Sequence, residues 1–261
     1  MKPVFVETEN VKRFHAGLSA LRRRGAEEAC LMVLDGKPGL GKTTLMTNWI
    51  AQVQNKSVYL RAAAEWSPMW FLSDLLADMR LPADRTFQGR YRQVFEEFLA
   101  RQHAAELAGD TFALVIDEAD HISRRRQIME TVRDFSDGTG VPVVLVGMGR
   151  IRQNLTRYPQ IASRVSQYVE FREASREDVA LFIAQMCDVP VADDLVQLTH
   201  TASEGFNREI KEAIATIERF ARRQRGRDFE AHPVSRADLA GQPLLNKRRD
   251  GRPVIVPETV V

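Results

Sequence analysis

A short glycine-rich segment near the start of the chain has the residue types and spacing needed to bind phosphate. The run Gly36-Lys37-Pro38-Gly39-Leu40-Gly41-Lys42-Thr43 matches the pattern G-x-x-x-x-G-K-[ST]. Glycines in such a loop let the backbone aim its N–H groups at phosphate oxygens, and the following helix adds partial positive charge at its N-terminus. The pattern predicts that Lys42 reaches the β- and γ-phosphates and that Thr43 ligates magnesium, with Thr44 beside it at the start of the helix.

A pair of acidic residues supplies the second half of the predicted chemistry. Asp117 and Glu118 directly follow the apolar run Phe112–Ile116, which is typical of a buried strand. An acid at the carboxyl end of such a strand can hold Mg²⁺, and the adjacent Glu118 is placed to orient and deprotonate the attacking water. With the phosphate loop, the pair predicts hydrolysis of ATP with Mg²⁺, rather than nucleotide binding alone.

The elements that must position these residues alternate between strand and helix from residue 30 to residue 171. The strand candidates are continuous apolar runs, which favour a parallel sheet covered on both faces: Leu31–Asp35, Ser57–Leu60, Phe112–Ile116, Val141–Val146 and Val165–Phe171. The dipeptide Ser67-Pro68 predicts a helix start. The fold class expected is α/β, a P-loop sheet flanked by helices.

Beyond residue 171 the pattern is helical only. Ser175 and Asp178 predict a capping box at the first of these helices. From Gly226 onward, Pro, Gly, Arg and Lys dominate without periodicity, which predicts a loosely ordered tail. The expected domains are residues 1–171 for nucleotide binding, 172–225 for a helical lid and 226–261 for a basic, flexible tail.

Composition narrows the class of protein. The 261 residues are 44% hydrophobic and 28% charged, as in a packed globular chain. No apolar run approaches the roughly 18 residues of a membrane span, and the N-terminus lacks an apolar signal core, so we expect a cytoplasmic protein without a membrane partner. Cys30 and Cys187 match no metal-site spacing and are expected to be reduced and buried.

The net charge of +2 is unevenly distributed. From Arg219 to Val261, ten Lys and Arg stand against five acidic residues. This basic end suggests an anionic partner, nucleic acid first, although a solvated helix face followed by a flexible tail would give the same charge pattern.

The phosphate loop, the D-E-A-D segment at 117–120 and the all-helical lid resemble the AAA+ superfamily. Within it, the span from Val6 to Arg223 resembles the transposition ATPases typified by the B protein of phage Mu, notably in residues 5–11 and 145–148. The resemblance implies assembly on double-stranded DNA as a homo-oligomeric ring or helical filament, and a transposase as partner. ATP would drive assembly and hydrolysis would drive disassembly.

The resemblance also implies roles for individual residues. In Gly205-Phe206-Asn207-Arg208, Arg208 corresponds to the second sensor, which touches the γ-phosphate. Arg164 lies where a neighbouring subunit's phosphate-reaching arginine is often found, and Arg157 competes for that role. The first sensor would follow Val143–Val146, but no polar residue stands in Gly147-Met148-Gly149, which suggests slow hydrolysis.

The resemblance further implies that arginines at the sheet ends and in the following loops bind DNA phosphates without reading sequence, so that binding depends steeply on salt. The candidates are Arg61; Arg85, Arg90 and Arg92; and Arg124, Arg125 and Arg126. Alternatively these arginines are solvated or pair with acids such as Asp84 and Glu130. The tail arginines at 222, 223, 225, 227 and 247–249 could bind DNA or a transposase, and the sequence does not choose between them.

Three other functions remain open from the sequence. One is a helicase-loading or initiator ATPase with the same core, and another is a secretion or signalling ATPase that never touches DNA. A third is a nucleotide-binding scaffold with negligible turnover.

Overall fold

The computed structural model describes residues 1–23, 31–52, 57–224 and 226–258. Within this part of the chain there are two compact units. The first, here called the sheet unit, comprises Arg13–Pro38 and Lys42–Phe171. The second, here called the helical unit, comprises Met1–Lys12, Gly39–Gly41 and the chain from Arg172 onward.

The described residues of the sheet unit include five strands: β1 (Leu31–Asp35), β2 (Val58–Arg61), β3 (Leu114–Asp117), β4 (Val143–Val146) and β5 (Val165–Glu170). They form a parallel sheet in the order β2-β3-β4-β1-β5. Every residue of β3 and β4 is buried, because helices cover both faces of the sheet. The α/β fold class predicted from the continuous apolar runs is confirmed.

Helices connect these strands, and their starts follow local sequence signals. At one of them Ser67 caps the first turn by accepting a hydrogen bond from the Trp70 N–H, with Pro68 at the first helical position, as predicted. The helices of this region are α1 (Glu9–Arg23), α2 (Lys42–Gln52), α3 (Pro68–Asp78), α4 (Phe87–Ala108), α5 (Arg126–Thr139), α6 (Ile151–Leu155) and α7 (Pro159–Ala162), with a 3₁₀ turn at Ala119–His121.

The strand register places the chemistry-bearing residues along one edge of the sheet. Arg61 at the end of β2 is the register partner of Asp117 at the end of β3. Leu34 near the end of β1 pairs with Val146 at the end of β4. In a parallel sheet, ligands bind at the edge where the strands end, so the loops after β1, β2, β3 and β4 define the carboxyl edge that matters here.

The helical unit contains α8 (Arg176–Met186), α9 (Asp193–Ser203) and α10 (Asn207–Arg223). The capping box predicted at α8 is confirmed: Ser175 accepts a hydrogen bond from the Asp178 N–H, and the Asp178 side chain accepts one from the Ser175 N–H. Residues of α8, α9 and α10 share one apolar core.

The tail differs from the loosely ordered segment that its composition predicts. A 3₁₀ turn (Ala237–Leu239) is followed by an antiparallel hairpin of β6 (Pro243–Asn246) and β7 (Pro253–Ile255). Five of its apolar residues lie buried in the core of the helical unit: Val234, Leu239, Leu244, Leu245 and Val256. Burying a leucine contributes about 2 kcal/mol, so a few apolar residues among many charged ones are enough to order the segment.

An ion pair fixes the start of the tail. Arg227 donates to both carboxylate oxygens of Asp238, at 2.6 and 2.9 Å. Ser235 adds donations to the same carboxylate from its N–H and hydroxyl, at 2.8 and 3.0 Å. Arg227 first, and the Ser235 bonds with it, lower the pKa of Asp238 to about 2.

Two further expectations concern the chain as a whole. No helix within the described ranges is long and apolar enough to cross a membrane. Cys187 is a buried free cysteine, and burial raises the pKa of its thiol. Cys30 lies outside the described residues, as does Arg225 of the tail.

Candidate nucleotide site

Lys42 is held against the loop that carries it. Its ammonium donates to the carbonyl oxygens of Gly36 at 2.6 Å and Lys37 at 2.8 Å, and the residue is buried although charged. Burial of a lysine is uncommon unless its donors are used. These contacts keep the Lys42 charge against the segment in which the sequence predicts phosphate binding.

Thr43 and Asp117, predicted to hold Mg²⁺, are brought together from α2 and β3. The Thr43 hydroxyl donates to Oδ2 of Asp117 at 2.7 Å, and the Tyr59 hydroxyl donates to the same oxygen at 2.8 Å. Asp117 is buried, and its Oδ1 accepts from the Glu118 N–H at 2.8 Å. A hydroxyl and a carboxylate are oxygen ligands of the kind Mg²⁺ prefers, so this donor set fits the ion.

Tyr59 was not predicted as a site residue. It lies on β2, next to β3 in the sheet, and its phenol is half-buried against Asp117. Burial, followed by the hydrogen bond to Asp117, raises the pKa of Tyr59 above its usual value. The phenol therefore stays protonated and donates to the carboxylate. No signal in the sequence marks this residue, because its role depends on which strands are neighbours.

Glu118 adopts a left-handed backbone conformation, with φ 55° and ψ 34°. Such a conformation costs a residue with a side chain roughly 1–2 kcal/mol. Arg61 donates to Glu118 Oε1 at 2.5 Å, and His121 Nε2 lies 3.7 Å from Oε2. The hydrogen bond from Arg61 lowers the pKa of Glu118, so the proposed base is ionised at neutral pH. Arg61 and Glu118, predicted separately for DNA and for catalysis, are thus direct partners.

Two more carboxylates hold the loop that follows β4. Asp120 accepts from the Met148 N–H at 2.6 Å and from the Arg150 N–H at 3.2 Å. Asp35, at the end of β1, accepts from the Gly36 N–H at 3.0 Å and from the Gly149 N–H. Burial raises the pKa of Asp35, opposed by these backbone hydrogen bonds.

The close packing around Gly147 explains why this loop lacks the polar residue expected of a first sensor. A β-carbon on Gly147 would lie 2.4 Å from Cδ1 of Ile151 and 2.8 Å from Oδ2 of Asp120. The side chains of Ile151 and Asp120 therefore occupy the space that a side chain at position 147 would need. The sequence did not predict Asp120 and Asp35 as site residues. For Asp120 a usable signal existed, because it is the last residue of the D-E-A-D segment.

The tip of the phosphate loop, Gly39–Gly41, groups with the helical unit. The Asn207 N–H donates to the Gly39 carbonyl at 3.2 Å, and its side-chain amide donates to the Leu40 carbonyl at 3.2 Å. Asn207 is the first residue of α10, in the segment predicted to contain the second sensor. Arg208, the predicted sensor itself, is exposed in the first turn of that helix.

The two candidates for action on a neighbouring subunit lie on the surface of the sheet unit. Arg164 donates to Asp137 Oδ2 at 2.9 Å, and its side chain is half-exposed. Arg157 is exposed in the turn after α6.

The arginines predicted to bind DNA have different surroundings. Arg85 and Arg92 are exposed near the start of α4. Arg90, by contrast, uses its donors internally, on the Asp84 carbonyl at 2.6 Å, the Met69 carbonyl at 3.3 Å and the Ser73 hydroxyl. Its contacts link the segment before α4 to α3.

The run that follows β3 is also partly engaged. Arg124 donates to Asn154 at 3.1 Å, Arg125 to the Ala64 carbonyl at 2.5 Å, and Arg126 to Glu130 at 2.8 Å. The pairing of Arg126 with Glu130 was one of the alternatives the sequence left open, and the Arg126 hydrogen bond lowers the pKa of Glu130. All three residues are nevertheless exposed.

The sheet order and this site define a P-loop ATPase of the AAA+ type. Residues 23–155, about half of the chain, match the AAA domain family, and the chain belongs to that family. Solved structures support the same fold. They include the ORC2 protein of Aeropyrum pernix (TM-score 0.60, 16% identity, 85% of this chain and 66% of that one) and Cdc6p of Pyrobaculum aerophilum (0.59, 15%, 91% and 68%).

Curated relatives narrow the resemblance further. The chain is 24% identical over 183 residues to the ATP-dependent target DNA activator B of Escherichia phage Mu, a match that covers 68% of this chain and 54% of that protein. It is 21% identical over 209 residues to the Mu-like prophage FluMu DNA transposition protein B of Haemophilus influenzae, covering 77% and 68%. The resemblance to the Mu B family drawn from the sequence is confirmed, and the chain spans about half the length of the phage Mu relative.

Proposed function

We propose that this chain is an ATP-dependent, sequence-nonspecific DNA-binding ATPase of a transposition system. ATP would assemble it on target DNA, where it recruits or stimulates a transposase, and hydrolysis would disassemble it. The observation that carries the proposal is the similarity to the B proteins of phage Mu and of the Mu-like prophage. The described carboxyl edge supplies the residues that the ATP chemistry needs. The protein would act in the cytoplasm of the cell that carries the element.

At the nucleotide site, the loop from Gly36 to Thr44 wraps the phosphates and Lys42 binds the β- and γ-phosphates. Thr43 and Asp117, already 2.7 Å apart, would hold Mg²⁺, which neutralises phosphate charge when it is bound. Glu118 accepts the proton of the attacking water as the general base. Asp120 and Asp35 fix the loop between β4 and α6 beside that base.

Arg61 links this base to DNA. In the structure Arg61 holds Glu118 by an ion pair, while its own side chain is 70% exposed. A DNA phosphate that engages the guanidinium competes with Glu118 for it and releases the carboxylate to work on water. Hydrolysis would therefore be slow without DNA and faster on DNA.

The DNA surface in this proposal is Arg61 together with the exposed Arg85 and Arg92. Arg124, Arg125 and Arg126 can add to it from the loop after β3, whereas Arg90 supports the fold of that region. Phosphate contacts of this kind hold DNA of any sequence. The logarithm of the binding constant falls linearly with the logarithm of the salt concentration.

Assembly into a ring or filament is proposed to use Arg164 on the nucleotide of a neighbouring subunit, with Arg157 as the rival. The pair between Arg164 and Asp137 is half-exposed, so it is weak enough to exchange for a phosphate. Arg208 is proposed to contact the γ-phosphate as the second sensor. We retain the division into residues 1–171, a lid at 172–225 and a C-terminal segment at 226–261 as part of this proposal.

The test is binding of the purified protein to random-sequence duplex DNA with ATP, with ADP and without nucleotide, at two salt concentrations. We expect binding and large assemblies with ATP only, and steep loss of both at higher salt. Lys42→Ala is the matched control that should not bind DNA. Intact hydrolysis without DNA binding would contradict the proposal and favour a secretion or signalling ATPase. ATP-dependent binding that never stimulates strand transfer by the cognate transposase would favour an initiator-type ATPase.

A further inference from the structure

The Asp117 carboxylate accepts three hydrogen bonds, which come from three different parts of the sheet unit. Its Oδ2 accepts from the Thr43 hydroxyl of α2 at 2.7 Å and from the Tyr59 hydroxyl of β2 at 2.8 Å. Its Oδ1 accepts from the Glu118 N–H, directly after β3, at 2.8 Å. Thr43 and Glu118 belong to the nucleotide motifs, whereas Tyr59 belongs to neither of them.

Tyr59 lies on the face of β2 that turns away from an apolar core shared with α3 and α4. Its neighbours Val58 and Leu60 are buried in that core. Side chains alternate between the two faces of a strand, so Tyr59 lies on the opposite face, where its hydroxyl reaches Asp117. What a tyrosine adds at this position, compared with an apolar residue, is therefore the hydrogen bond to Asp117.

The three donors fix the orientation of the Asp117 carboxylate. A carboxylate offers about four lone-pair positions, two on each oxygen. The two hydroxyls take both positions on Oδ2, and the Glu118 N–H takes one on Oδ1. Asp117 is buried, and burial of a carboxylate is costly unless its oxygens are hydrogen-bonded. The orientation that keeps all three donors is therefore the favoured one, and the Tyr59 hydroxyl is one of the groups that define it.

We propose that Tyr59 is a positioning residue of the magnesium site, whose hydroxyl orients Asp117 so that the carboxylate can serve Mg²⁺ together with Thr43. The inference rests on the proposed ATP site and adds a residue that the nucleotide motifs do not contain. Removal of a group that orients the ligands of a metal typically lowers metal affinity by about 10–100-fold. A hydroxyl that only stabilised the fold would leave the metal dependence of nucleotide binding unchanged.

The test is binding of the non-hydrolysable ATP analogue AMP-PNP with Mg²⁺ and with EDTA, measured by titration calorimetry on the full chain. The ratio of the two affinities reports the contribution of the metal and is independent of turnover. Tyr59→Phe keeps the aromatic ring and removes the hydroxyl. We expect it to bind the analogue about tenfold more weakly than the unmodified protein with Mg²⁺, and within about twofold of it in EDTA.

Tyr158→Phe is the matched control, because it also removes a phenolic hydroxyl from the sheet unit. That hydroxyl donates to the Arg124 carbonyl at 2.7 Å. Both affinities of Tyr158→Phe should stay within about twofold of those of the unmodified protein. Asp117→Asn sets the scale, because it removes the charge of the proposed metal ligand and should lose more of the Mg²⁺ contribution than Tyr59→Phe.

An unchanged affinity ratio in Tyr59→Phe would overturn the inference. Equal losses with Mg²⁺ and with EDTA would also overturn it, because they would assign the hydroxyl to the fold alone. The proposed function is separated by the unmodified protein and Lys42→Ala. If Mg²⁺ does not strengthen binding by the unmodified protein, or if Lys42→Ala binds equally well, the ATP site itself fails. Binding that depends on Mg²⁺ and Lys42 but ignores the Tyr59 hydroxyl contradicts only the role of Tyr59.

Discussion

The carboxylates at the carboxyl edge of the sheet unit and Asp238 of the helical unit have opposite kinds of hydrogen-bond partner. At the carboxyl edge of the sheet unit, Asp35, Asp117 and Asp120 accept hydrogen bonds from backbone N–H groups and hydroxyls. In the helical unit, Asp238 is neutralised directly by Arg227. A carboxylate held by neutral donors keeps its negative charge for a metal or for positioning, whereas one held by a cation contributes mainly to stability. Among these four carboxylates, the type of partner separates the three acids at the nucleotide site from the structural Asp238.

The informative exceptions are the two arginines that do not fit their own region. Arg61 pairs with Glu118 in the sheet unit, but the pair is exposed and can be exchanged. Arg248 approaches Glu209 in the helical unit, but only to 3.7 Å. Each of these arginines therefore has donors that another anion could take.

The largest expected effect is at Lys42. Lys42→Ala should weaken ATP binding at least about 100-fold, because it removes the charge held against the phosphate loop. Titration calorimetry with Mg·ATP measures it, and Lys12→Ala, which removes an exposed lysine from α1, is the control. Equal affinity in both variants would mean that the carboxyl edge of the sheet is not the nucleotide site.

The next effect is at Asp120. Asp120→Ala should lower kcat for ATP hydrolysis roughly 30-fold while ATP affinity changes little, because the loop after β4 loses its anchor beside the proposed base. Steady-state hydrolysis and nucleotide titration separate the two quantities. Asp134→Asn, which alters a carboxylate paired with Arg133, should leave kcat unchanged. Equal losses in both variants would show that Asp120 is only structural.

Asp238 should behave as a structural acid. Its folded-state pKa of about 2 lies below the unfolded value, so the pair stabilises the protein above about pH 4, and this contribution is lost as the pH falls towards 2. Asp238→Asn should therefore lower the free energy of unfolding by about 1–2 kcal/mol at pH 7 and by much less near pH 2, with ATP affinity unchanged. Urea unfolding at both pH values measures it. A pH-independent loss would assign the effect to packing.

The smallest effect is at Arg61. Arg61→Ala should raise hydrolysis without DNA about threefold, because an exposed ion pair holds Glu118 only weakly, and it should reduce stimulation by DNA. Arg126→Ala is the matched control, because it removes a similarly exposed arginine that is paired with Glu130 instead. Lower hydrolysis in Arg61→Ala without DNA would indicate that Arg61 assists Glu118 rather than restraining it.

The sequence predicted those parts of the site that are contiguous in the chain. The phosphate loop and Asp117-Glu118 are short motifs whose strand and helix context is also local, and the sheet followed from its continuous apolar runs. Tyr59 and Asp35 escaped prediction because their relation to the site depends on strand order. That order puts β2 beside β3 and β1 beside β4.

The sequence did not predict the fold of the tail, for a different reason. Its average composition is basic and polar, and a few leucines and valines at the right spacing carry the packing of β6 and β7.

ATP hydrolysis that depends on Glu118 is proposed to release the protein from DNA. The most direct test is the lifetime of DNA-bound protein in the presence of ATP. Protein assembled on labelled duplex DNA is challenged with excess unlabelled DNA, and loss of label is followed for the unmodified chain and for Glu118→Gln. We expect Glu118→Gln to bind ATP and DNA but to remain on the DNA at least about 100-fold longer, in line with the loss of general-base catalysis. Equal lifetimes for the two proteins would contradict the account.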